Sequence, residues 1–577
     1  MKKLMLGNAA VARGLYESGC RFVSSYPGTP STEITEQVAT YDEIYAEWAP
    51  NEKVALESAI GASLAGARSF CAMKHVGLNV AADPLFTASY TGVNGGLVIA
   101  VADDPGMHSS QNEQDSRHHA IAAKLPMLEP SDAGECLAFV KEAYALSEQF
   151  DTPVLLRMCT RVAHSQSLLE TGDREEAALK EYVKNPSKYV ATPANAIKRH
   201  VVVEDRMRAM EAFAETTTLN REESGDSSMG FVTSGTCYQY VREVFPRASV
   251  YKLGLVNPLP VEALRAFADK VQRLIVVEEL DGVIEQHLRV HGIRVDGGKN
   301  LFGPLGELSQ GKLRAAMGID LPPAEGFGEA VPGRPPVLCP GCPHRGLFTV
   351  LSKLKLTVMG DIGCYTLGAA QPLAAMDSTV CMGASIGMAH GFTHVRPESA
   401  SKTVAVIGDS TFMHSGVTSL INVAYNKGIS TVLVLDNAIT GMTGHQQNPT
   451  TGMTLKQQPT RAIRIEEICR AAGIDRVRVT DPQDMGMTEA VLREELSCSE
   501  PSVIIVRRPC MLLKYVEPQP PLKVDPEKCI GCRACMRIGC PAISFSNGKS
   551  AVDPTICVGC GLCEQMCRFG AFEKKEA

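Results

Sequence analysis

The chain contains 577 residues, with a formal net charge of −7 and a sequence pI of about 6.1. This length predicts about four domains of roughly 150 residues each. The acidic balance and the lack of a basic stripe argue against a nucleic-acid partner. The sequence shows no run of about twenty apolar residues and no signal-type N-terminus, so we expect a cytoplasmic protein that does not enter a membrane.

Apolar runs alternate with amphipathic stretches over most of the chain, which is typical of parallel sheets covered by helices. The predicted strands, in chain order, are 21–26, 69–74, 97–103, 152–158, 230–235, 273–279, 355–361, 403–409, 430–437 and 502–508. Charged or Pro-rich stretches at 168–228, 319–336 and 516–528 separate the groups of strands. We therefore predict an α/β protein with four domains, and their bounds are 1–195, 196–320, 335–515 and 520–577.

The stretch from 403 to 437 predicts a ligand site. A right-handed crossover from strand to helix to strand brings Asp409 and Asn437 to one carboxyl edge of the sheet, where open α/β folds bind ligands. Their oxygens are of the type that Mg²⁺ prefers, and the helix N-terminus between the strands can receive an anion such as a diphosphate. The apolar face of the predicted helix consists of Val417, Leu420, Ile421 and Ala424.

A cysteine-rich unit occurs twice near the end of the chain, at 524–545 and 552–573. Paired runs of this kind bind two [4Fe-4S] clusters, because each run gives three thiolates to one cluster and the fourth to the other. The first run has four residues before its last cysteine instead of the usual three, and the second lacks the following proline. A disulfide framework or a zinc site is the alternative. The predicted ligand sets are Cys529, Cys532, Cys535 and Cys567, and Cys557, Cys560, Cys563 and Cys540.

Segments 408–410 and 436–437 resemble the thiamine diphosphate motif, with Ser410 and Asp436 in its variable positions. The resemblance implies bound thiamine diphosphate, with Mg²⁺ held by Asp409 and Asn437. An ordinary turn with acidic ends is the alternative. The candidate cofactor-binding residues are Gly408, Asp409, Ser410, Asn437 and Ile439.

Thiamine diphosphate also requires a carboxylic group beside its aminopyrimidine ring. The segment 51–69 resembles the activating-glutamate helix of thiamine enzymes. Counting back from the small residues at 65–67 favours Glu52 as the catalytic group, with Glu57 as its rival. A solvated glutamate at a helix start is the remaining alternative.

Several segments in this order resemble a large subunit of the 2-oxoacid:ferredoxin oxidoreductases. They are 24–34, the Glu52 helix, 253–260, 273–280, the thiamine motif and the cysteine tail. The resemblance implies two thiamine-diphosphate-binding-type parallel-sheet domains, a transketolase-C-terminal-like middle domain and a bacterial ferredoxin-like tail. Thr29 stands at the family's substrate-contacting threonine, which makes it a catalytic candidate, although it also suits a helix N-cap.

The implied reaction is oxidative decarboxylation of a 2-oxoacid with CoA to acyl-CoA and CO₂, with electrons passing to ferredoxin. Arylpyruvates such as indolepyruvate are the expected substrates. The family's gamma-type domain has no counterpart, so a small beta subunit is implied, in a heterodimer or heterotetramer, with the cofactor at an interface between two α/β domains.

Two further expectations come from the resemblance. Cys339, Cys342, Cys364 and Cys510 stand where related oxidoreductases hold a cluster beside the cofactor, and four buried thiols are the alternative. Asp103 stands where the pyruvate enzymes carry an arginine for the substrate carboxylate. The candidates that could replace this arginine are Lys74, His75 and Arg117.

Other functions are compatible with the sequence. The same chemistry could act on a branched-chain 2-oxoacid or on 2-oxoglutarate. A non-redox thiamine decarboxylase with a structural tail is a second possibility. An electron-carrier or scaffold subunit with inactive cofactor sites is a third.

Overall fold

The computed structural model describes residues 2–321, 326, 328, 331 and 333–574. The chain forms two compact units, Met1–Gly328 and Glu329–Ala577, and each is described by itself. Residues 322–325, 327, 329, 330 and 332 of the predicted linker 319–336 lie outside the described residues. Within the described part of the chain, no helix combines the length and apolar character that a membrane crossing needs.

The first unit alternates strands and helices. Its strands are β1 (Lys2–Leu6), β2 (Phe22–Ser25), β3 (Tyr45–Trp48), β4 (Ser69–Lys74), β5 (Leu97–Asp103), β6 (Met127–Leu128), β7 (Val154–Cys159), β8 (Gln166–Glu170), β9 (Arg221–Glu223), β10 (Asp226–Ser234), β11 (Ala248–Leu253), β12 (Leu255–Asn257) and β13 (Leu274–Val277). Its helices are α1 (Gly7–Glu17), α2 (Thr32–Val38), α3 (Glu52–Leu64), α4 (His75–Val80), α5 (Ala82–Thr91), α6 (Arg117–Ala123), α7 (Ala133–Phe150), α8 (Thr160–His164), α9 (Pro186–Tyr189), α10 (Pro193–Ala214), α11 (Gly235–Val244), α12 (Val261–Asp269), α13 (Val283–Val290), α14 (Lys299–Phe302) and α15 (Gln310–Ala316).

The main sheet of the first unit has the strand order β12-β6-β7-β5-β4-β2-β3. Strands β4, β5 and β7 are parallel to their neighbours and buried along their whole length, as in a sheet covered on both faces. The edge strand β12 pairs antiparallel with β6, although it comes from the segment predicted to form the middle domain. The middle segment therefore completes the first sheet as well as forming its own.

The second sheet of this unit has the order β13-β10-β11-β9. The sequence predicted β10 and β13 but not β11, because Lys252 interrupts its apolar run. Lys252 is fully buried and forms an ion pair with Glu135, which compensates its charge. One buried apolar cluster contains both Met73 of β4 in the main sheet and Val232 of β10 in the second sheet. The boundary predicted between 195 and 196 falls near the start of α10, and the division into four domains stays a prediction.

The second unit contains a parallel five-stranded sheet followed by the cysteine tail. Its strands are β14 (Thr357–Met359), β15 (Thr403–Gly408), β16 (Thr431–Asp436), β17 (Arg476–Thr480), β18 (Ser502–Arg507), β19 (Leu522–Val524), β20 (Ile543–Ser546), β21 (Lys549–Val552) and β22 (Phe572–Lys574). Its α-helices are α16 (His344–Leu354), α17 (Ala384–Val395), α18 (Asp409–Thr411), α19 (Val417–Tyr425), α20 (Ile465–Ala471), α21 (Met485–Leu496) and α22 (Leu562–Gln565).

The parallel sheet has the order β14-β15-β16-β18-β17. The sequence did not predict β17, because Arg476 and Arg478 alternate with its valines. Both arginines form ion pairs with α21 at the sheet edge. The predicted helix between β15 and β16 is confirmed, but its buried face includes Val423, and Ile421 is 48% exposed. Because Ile421 and Val423 are both apolar, the sequence pattern alone does not specify which of them faces the core.

The tail forms two short antiparallel pairs, β19 with β22 and β20 with β21. Its apolar side chains pack into the core of the preceding sheet: Ile538, Leu562 and Phe572 belong to the same buried cluster as Leu347 and Phe348. The cysteine tail is therefore integrated with the sheet domain.

Candidate active site

The carboxyl ends of β15 and β16 meet at one edge of the five-stranded sheet. The two strands are parallel neighbours, with Gly408 opposite Leu435. Asp409 and Asn437 directly follow these strand ends. The structure therefore brings the two predicted magnesium ligands to the edge that the sequence indicated.

Asp409 is suited to hold a cation. Its side chain is 2% exposed, and its Oδ1 accepts a hydrogen bond from the Ser410 amide at 2.6 Å. Its Oδ2 is buried without a hydrogen-bond partner among the described residues. Burial, and then the neighbouring charge of Asp436, raise the pKa of Asp409 to about 8. A hard cation such as Mg²⁺ fits this buried oxygen beside the Asn437 amide.

The other candidate cofactor residues surround Asp409. Ser410, Asn437 and Ile439 are buried. Gly408 is required sterically, because a Cβ there would lie 2.7 Å from Cε1 of Tyr365.

Sequence reasoning missed Asp361, which is fully buried beside this edge. Its two carboxylate oxygens accept hydrogen bonds from the amides of Gly383 at 2.8 Å and Ser385 at 3.0 Å, at the start of α17. It thereby joins the turn that carries Cys364 to this helix. The Gly-Asp pair after a predicted strand, repeated at 360–361 and 408–409, was the available signal.

The four cysteines of the proposed third cluster all lie in the second unit. The Cys342 amide donates to the Cys339 carbonyl at 3.1 Å, and the Cys510 amide donates to the Asn437 carbonyl at 2.9 Å. Burial, and then the thiols of Cys510 and Cys339, raise the pKa of Cys364 to about 11. Cys339 is exposed, Cys342 is buried, and Cys364 and Cys510 are half-buried, and the choice between a cluster and four free thiols stays a prediction.

The tail cysteines line two separate cavities. Cys529, Cys532, Cys535 and Cys567 line one, and Cys540, Cys557, Cys560 and Cys563 line the other. The structure thus groups them in the two interleaved sets that the spacing predicted. Each cavity receives one cysteine from the opposite run, as in bacterial two-cluster ferredoxins.

The first unit carries the predicted catalytic glutamate. Glu52 begins α3, and the side chain of Asn51 caps this helix by accepting from the Val54 amide at 2.9 Å. Glu52 is buried, and a Cβ at Gly77 would lie 2.6 Å from its Oε1. Glu57 is exposed and forms an ion pair with Lys53. Of the two glutamates, only Glu52 has the buried environment that its role requires.

Thr29 follows β2 and lies beside the end of β4. A Cβ at Gly28 would lie 3.1 Å from Cβ of Lys74, so the two strand ends are in contact. The N-cap role predicted for Thr29 is wrong, because α2 begins at Thr32 and the capping position is Ser31. Thr29 is half-buried at the carboxyl edge of the main sheet of the first unit.

Lys74 is a buried cation at this edge without an ion pair among the described residues. Its Nζ donates a hydrogen bond to the Ser109 carbonyl, and Lys74 is only 8% exposed. Burial lowers the pKa of Lys74 to about 8, while the charge of Asp104 opposes this shift. The adjacent His75 is also buried, and its Nε2 lies 3.2 Å from the Asn112 carbonyl.

Arg117 is wrong as a substrate-binding candidate, because protein acceptors occupy its guanidinium. It is fully buried, and it pairs with Asp115 at 2.6 Å and Glu278 at 2.6 Å. Asp103 is equally committed, since it forms an ion pair with Arg157 at 2.7 Å. Both residues belong to a buried charge network that joins the first sheet to the middle segment.

Three parts of the chain match known families. Residues 13–225 match "Pyruvate flavodoxin/ferredoxin oxidoreductase, thiamine diP-bdg", and residues 361–506 match "Thiamine pyrophosphate enzyme, C-terminal TPP binding domain". Residues 521–568 match the "4Fe-4S dicluster domain". With the α/β sheets and the paired cysteine cavities, these matches define a thiamine diphosphate oxidoreductase with an iron-sulfur domain.

Relatives extend this likeness to the whole chain. The indolepyruvate oxidoreductase subunit IorA of Archaeoglobus fulgidus is 38% identical, over 98% of this chain and 96% of its own length. The protein of the same name from Pyrococcus abyssi is 40% identical, over 99% and 96%. The 2-oxoglutarate synthase subunit KorA of Methanothermobacter thermautotrophicus is 25% identical, over 47% of this chain and 86% of its own. The chain belongs to the indolepyruvate oxidoreductase subunit IorA family.

Proposed function

We propose that this chain is the catalytic subunit that oxidatively decarboxylates arylpyruvates such as indolepyruvate. One 2-oxoacid anion and one CoA thiol yield acyl-CoA, CO₂, one proton and two electrons. The electrons leave singly through iron-sulfur clusters to ferredoxin. A small beta subunit completes the enzyme, in a heterodimer or heterotetramer.

One observation carries this proposal: candidate redox ligands adjoin the candidate cofactor edge. The Cys510 amide donates to the Asn437 carbonyl, and a Cβ at Gly441 would lie 3.4 Å from the Cys364 thiol and 3.7 Å from Nδ2 of Asn437. A decarboxylase that releases an aldehyde has no use for an electron acceptor at this place. The arrangement supports oxidation coupled to one-electron transfer.

In this function, Asp409 and Asn437 hold Mg²⁺, and Gly408, Ser410 and Ile439 contact the diphosphate. Bound thiamine diphosphate supplies the electron sink for decarboxylation. Glu52 is assigned as the carboxylic group at the aminopyrimidine ring, and its buried side chain is in close contact with Gly77. Cys339, Cys342, Cys364 and Cys510 hold the first cluster, and the eight tail cysteines hold two more.

We also assign the substrate carboxylate to Lys74, with His75 beside it. A buried ammonium without a carboxylate partner is a favourable receptor for an anion in a low-dielectric site. Lys74 is the last residue of β4, and its backbone lies next to Gly28, so Lys74 and Thr29 can reach one substrate. In this assignment Lys74 takes the role of the arginine that the pyruvate enzymes carry at the position of Asp103.

The decisive experiment compares a panel of 2-oxoacids with CoA, for the chain alone and for the chain coexpressed with its partner subunit. We expect arylpyruvates to bleach the cluster absorbance fastest and to yield acyl-CoA only when the partner is present. A branched-chain acid or 2-oxoglutarate as the best substrate would correct the specificity. Aldehyde release without bleaching would contradict the oxidative function.

A further inference from the structure

Arg345 is a buried cation without a carboxylate partner. It lies on α16 and is 2% exposed, and among the described residues no Asp or Glu oxygen lies within 4.0 Å of its guanidinium. In the described part of the chain its side-chain hydrogen bonds go to main-chain carbonyls, and its Nε is buried without a hydrogen-bond partner there. A buried charge of this kind is strongly destabilising unless an anion compensates it.

The carbonyls that Arg345 contacts come from two cysteine motifs. Its Nη1 donates to the carbonyls of Ile538 at 3.0 Å and Gly539 at 2.6 Å, directly before Cys540. Its Nη2 donates to the carbonyls of Leu338 and of Cys339, the latter at 3.2 Å. The planar guanidinium therefore joins the third cysteine set to the second tail set through one side chain.

These two cysteine sets also lie against each other. Pro340 and Gly341, between Cys339 and Cys342, line the cavity formed by Cys540, Cys557, Cys560 and Cys563. A Cβ at Gly341 would lie 2.2 Å from Cγ2 of Val558, so the turn touches the second tail motif directly. Burial lowers the pKa of Arg345, whereas the Cys540, Cys342, Cys560 and Cys339 thiols raise it when they are ionised.

We infer that Arg345 is a positioning residue that places a fixed positive charge between two iron-sulfur clusters and fixes their separation. The inference rests on the third cluster of the proposed function. A cubane held by four thiolates is an anion, so two such clusters supply the compensating charge that the protein residues do not. The cation stabilises the additional electron on either cluster, and the potential of an iron-sulfur cluster depends on nearby charge and hydrogen bonds.

The electron step is balanced without a further reagent. With clusters bound, the site of Cys339, Cys342, Cys364 and Cys510 would supply a one-electron donor, and the site of Cys540, Cys557, Cys560 and Cys563 would supply the acceptor of that electron. Arg345 keeps its proton throughout, because a guanidinium is not deprotonated in proteins. Cys529, Cys532, Cys535 and Cys567 would hold the next acceptor, and Cys532 is exposed to solvent.

The test uses redox titrations of the full anaerobic chain, followed by electron paramagnetic resonance. We expect Arg345→Gln to disfavour the reduced state of both flanking clusters about tenfold, which is about 59 mV for one electron. The Cys529-set cluster should shift less. Arg537→Gln removes the same charge from an exposed side chain of the tail, where water screens it, and should leave all the potentials near the native values.

Arg345→Lys keeps the positive charge but removes the forked guanidinium, so it distinguishes the effect of the charge from that of the fork. We expect this variant to assemble all clusters with potentials close to those of the native chain, even where Arg345→Gln loses iron. Three assembled clusters with unchanged potentials in Arg345→Gln would overturn the inference. Equal loss of clusters in both variants would also overturn it, because Arg345 would then be a structural fork only. A native chain with iron for only two clusters would instead contradict the third cluster of the proposed function.

Discussion

Asp409 presents one carboxylate oxygen to the candidate metal site, and this oxygen has no hydrogen-bond partner among the described residues. We expect Asp409→Ala to abolish retention of thiamine diphosphate while the tail clusters keep their absorbance. The reason is that, in the proposed function, the diphosphate would bind through a metal ion held by this oxygen. Cofactor content after gel filtration, with the exposed Asp475→Ala as the control, measures the effect. Full cofactor occupancy in Asp409→Ala would exclude its role as metal ligand.

Glu52 and Glu57 lie on the same helix in opposite environments, which makes them a matched pair. Glu52→Gln keeps the volume but not the ionisable proton, so we expect the cofactor to bind while exchange of its C2 proton falls by orders of magnitude. Glu57→Gln, at the exposed position, should exchange at the native rate. The reverse pattern would show that the wrong glutamate was assigned.

Lys74 gives the site a predictable pH dependence. Its folded pKa of about 8 lies below the usual lysine value because of burial, so the ammonium is present below pH 8 and is lost above it. Asp104 and His75 are the titratable groups facing it, and burial also lowers the pKa of His75, which is then neutral above its ordinary range. We expect KM for the 2-oxoacid to be constant below pH 8 and to rise about tenfold per pH unit above it.

The variant Lys74→Met tests whether Lys74 causes this pH dependence of KM. Lys74→Met should raise KM at neutral pH by about tenfold or more and should remove its dependence on pH above 8, while kcat changes less. The lowered pKa of Lys74 also makes the free energy of unfolding depend on pH. Between pH 8 and the ordinary lysine pKa the unfolded chain binds more protons, so stability should increase with pH in that window. A KM that is equal in both proteins would remove the carboxylate role.

The packing of α4 against α3 sets the position of the catalytic glutamate at the level of elements. A methyl group at Gly77 would lie 2.6 Å from Oε1 of Glu52, whereas one at Gly61 of α3 would have no atom within 4 Å. We expect Gly77→Ala to displace Glu52 and to reduce C2 proton exchange strongly. Gly61→Ala should leave exchange unchanged and stabilise the helix by about 1 kcal/mol. Equal exchange rates in the two variants would show that this contact does not position Glu52.

The elements that the sequence predicted well are those whose local pattern agrees with their tertiary environment. Fully apolar strands such as β5 and β15 were predicted almost to their ends, and so was the helix after Asn51. The ligand candidates at strand ends followed from topology alone. Strand β11 was missed because the burial of Lys252 depends on Glu135, which lies more than a hundred residues away. The pairing of β12 with β6 and the contacts of Arg345 are equally non-local.

At the scale of the whole molecule, the iron-sulfur tail and the thiamine-type sheet share a core, so neither can be removed without exposing apolar surface. Leu562 and Phe572 of the tail are buried with Leu347 and Phe348 of α16. Truncation is for this reason a poor way to count clusters. Substitution of single cysteines in the full chain leaves the core intact and removes one ligand at a time.

The number of clusters therefore has a clean test in cysteine variants. Three cubanes of four irons require about twelve irons per anaerobically purified chain. We expect Cys364→Ser to lower this number to about eight, because Cys364 lines neither of the two tail cavities. Cys498→Ser, at a half-buried thiol outside all three sets, should keep the native iron content. With the partner subunit present, Cys364→Ser should no longer pass electrons from a 2-oxoacid to ferredoxin at the native rate. A native chain that holds about eight irons, and a Cys364→Ser variant that still reduces ferredoxin normally, would show that electrons enter the tail directly.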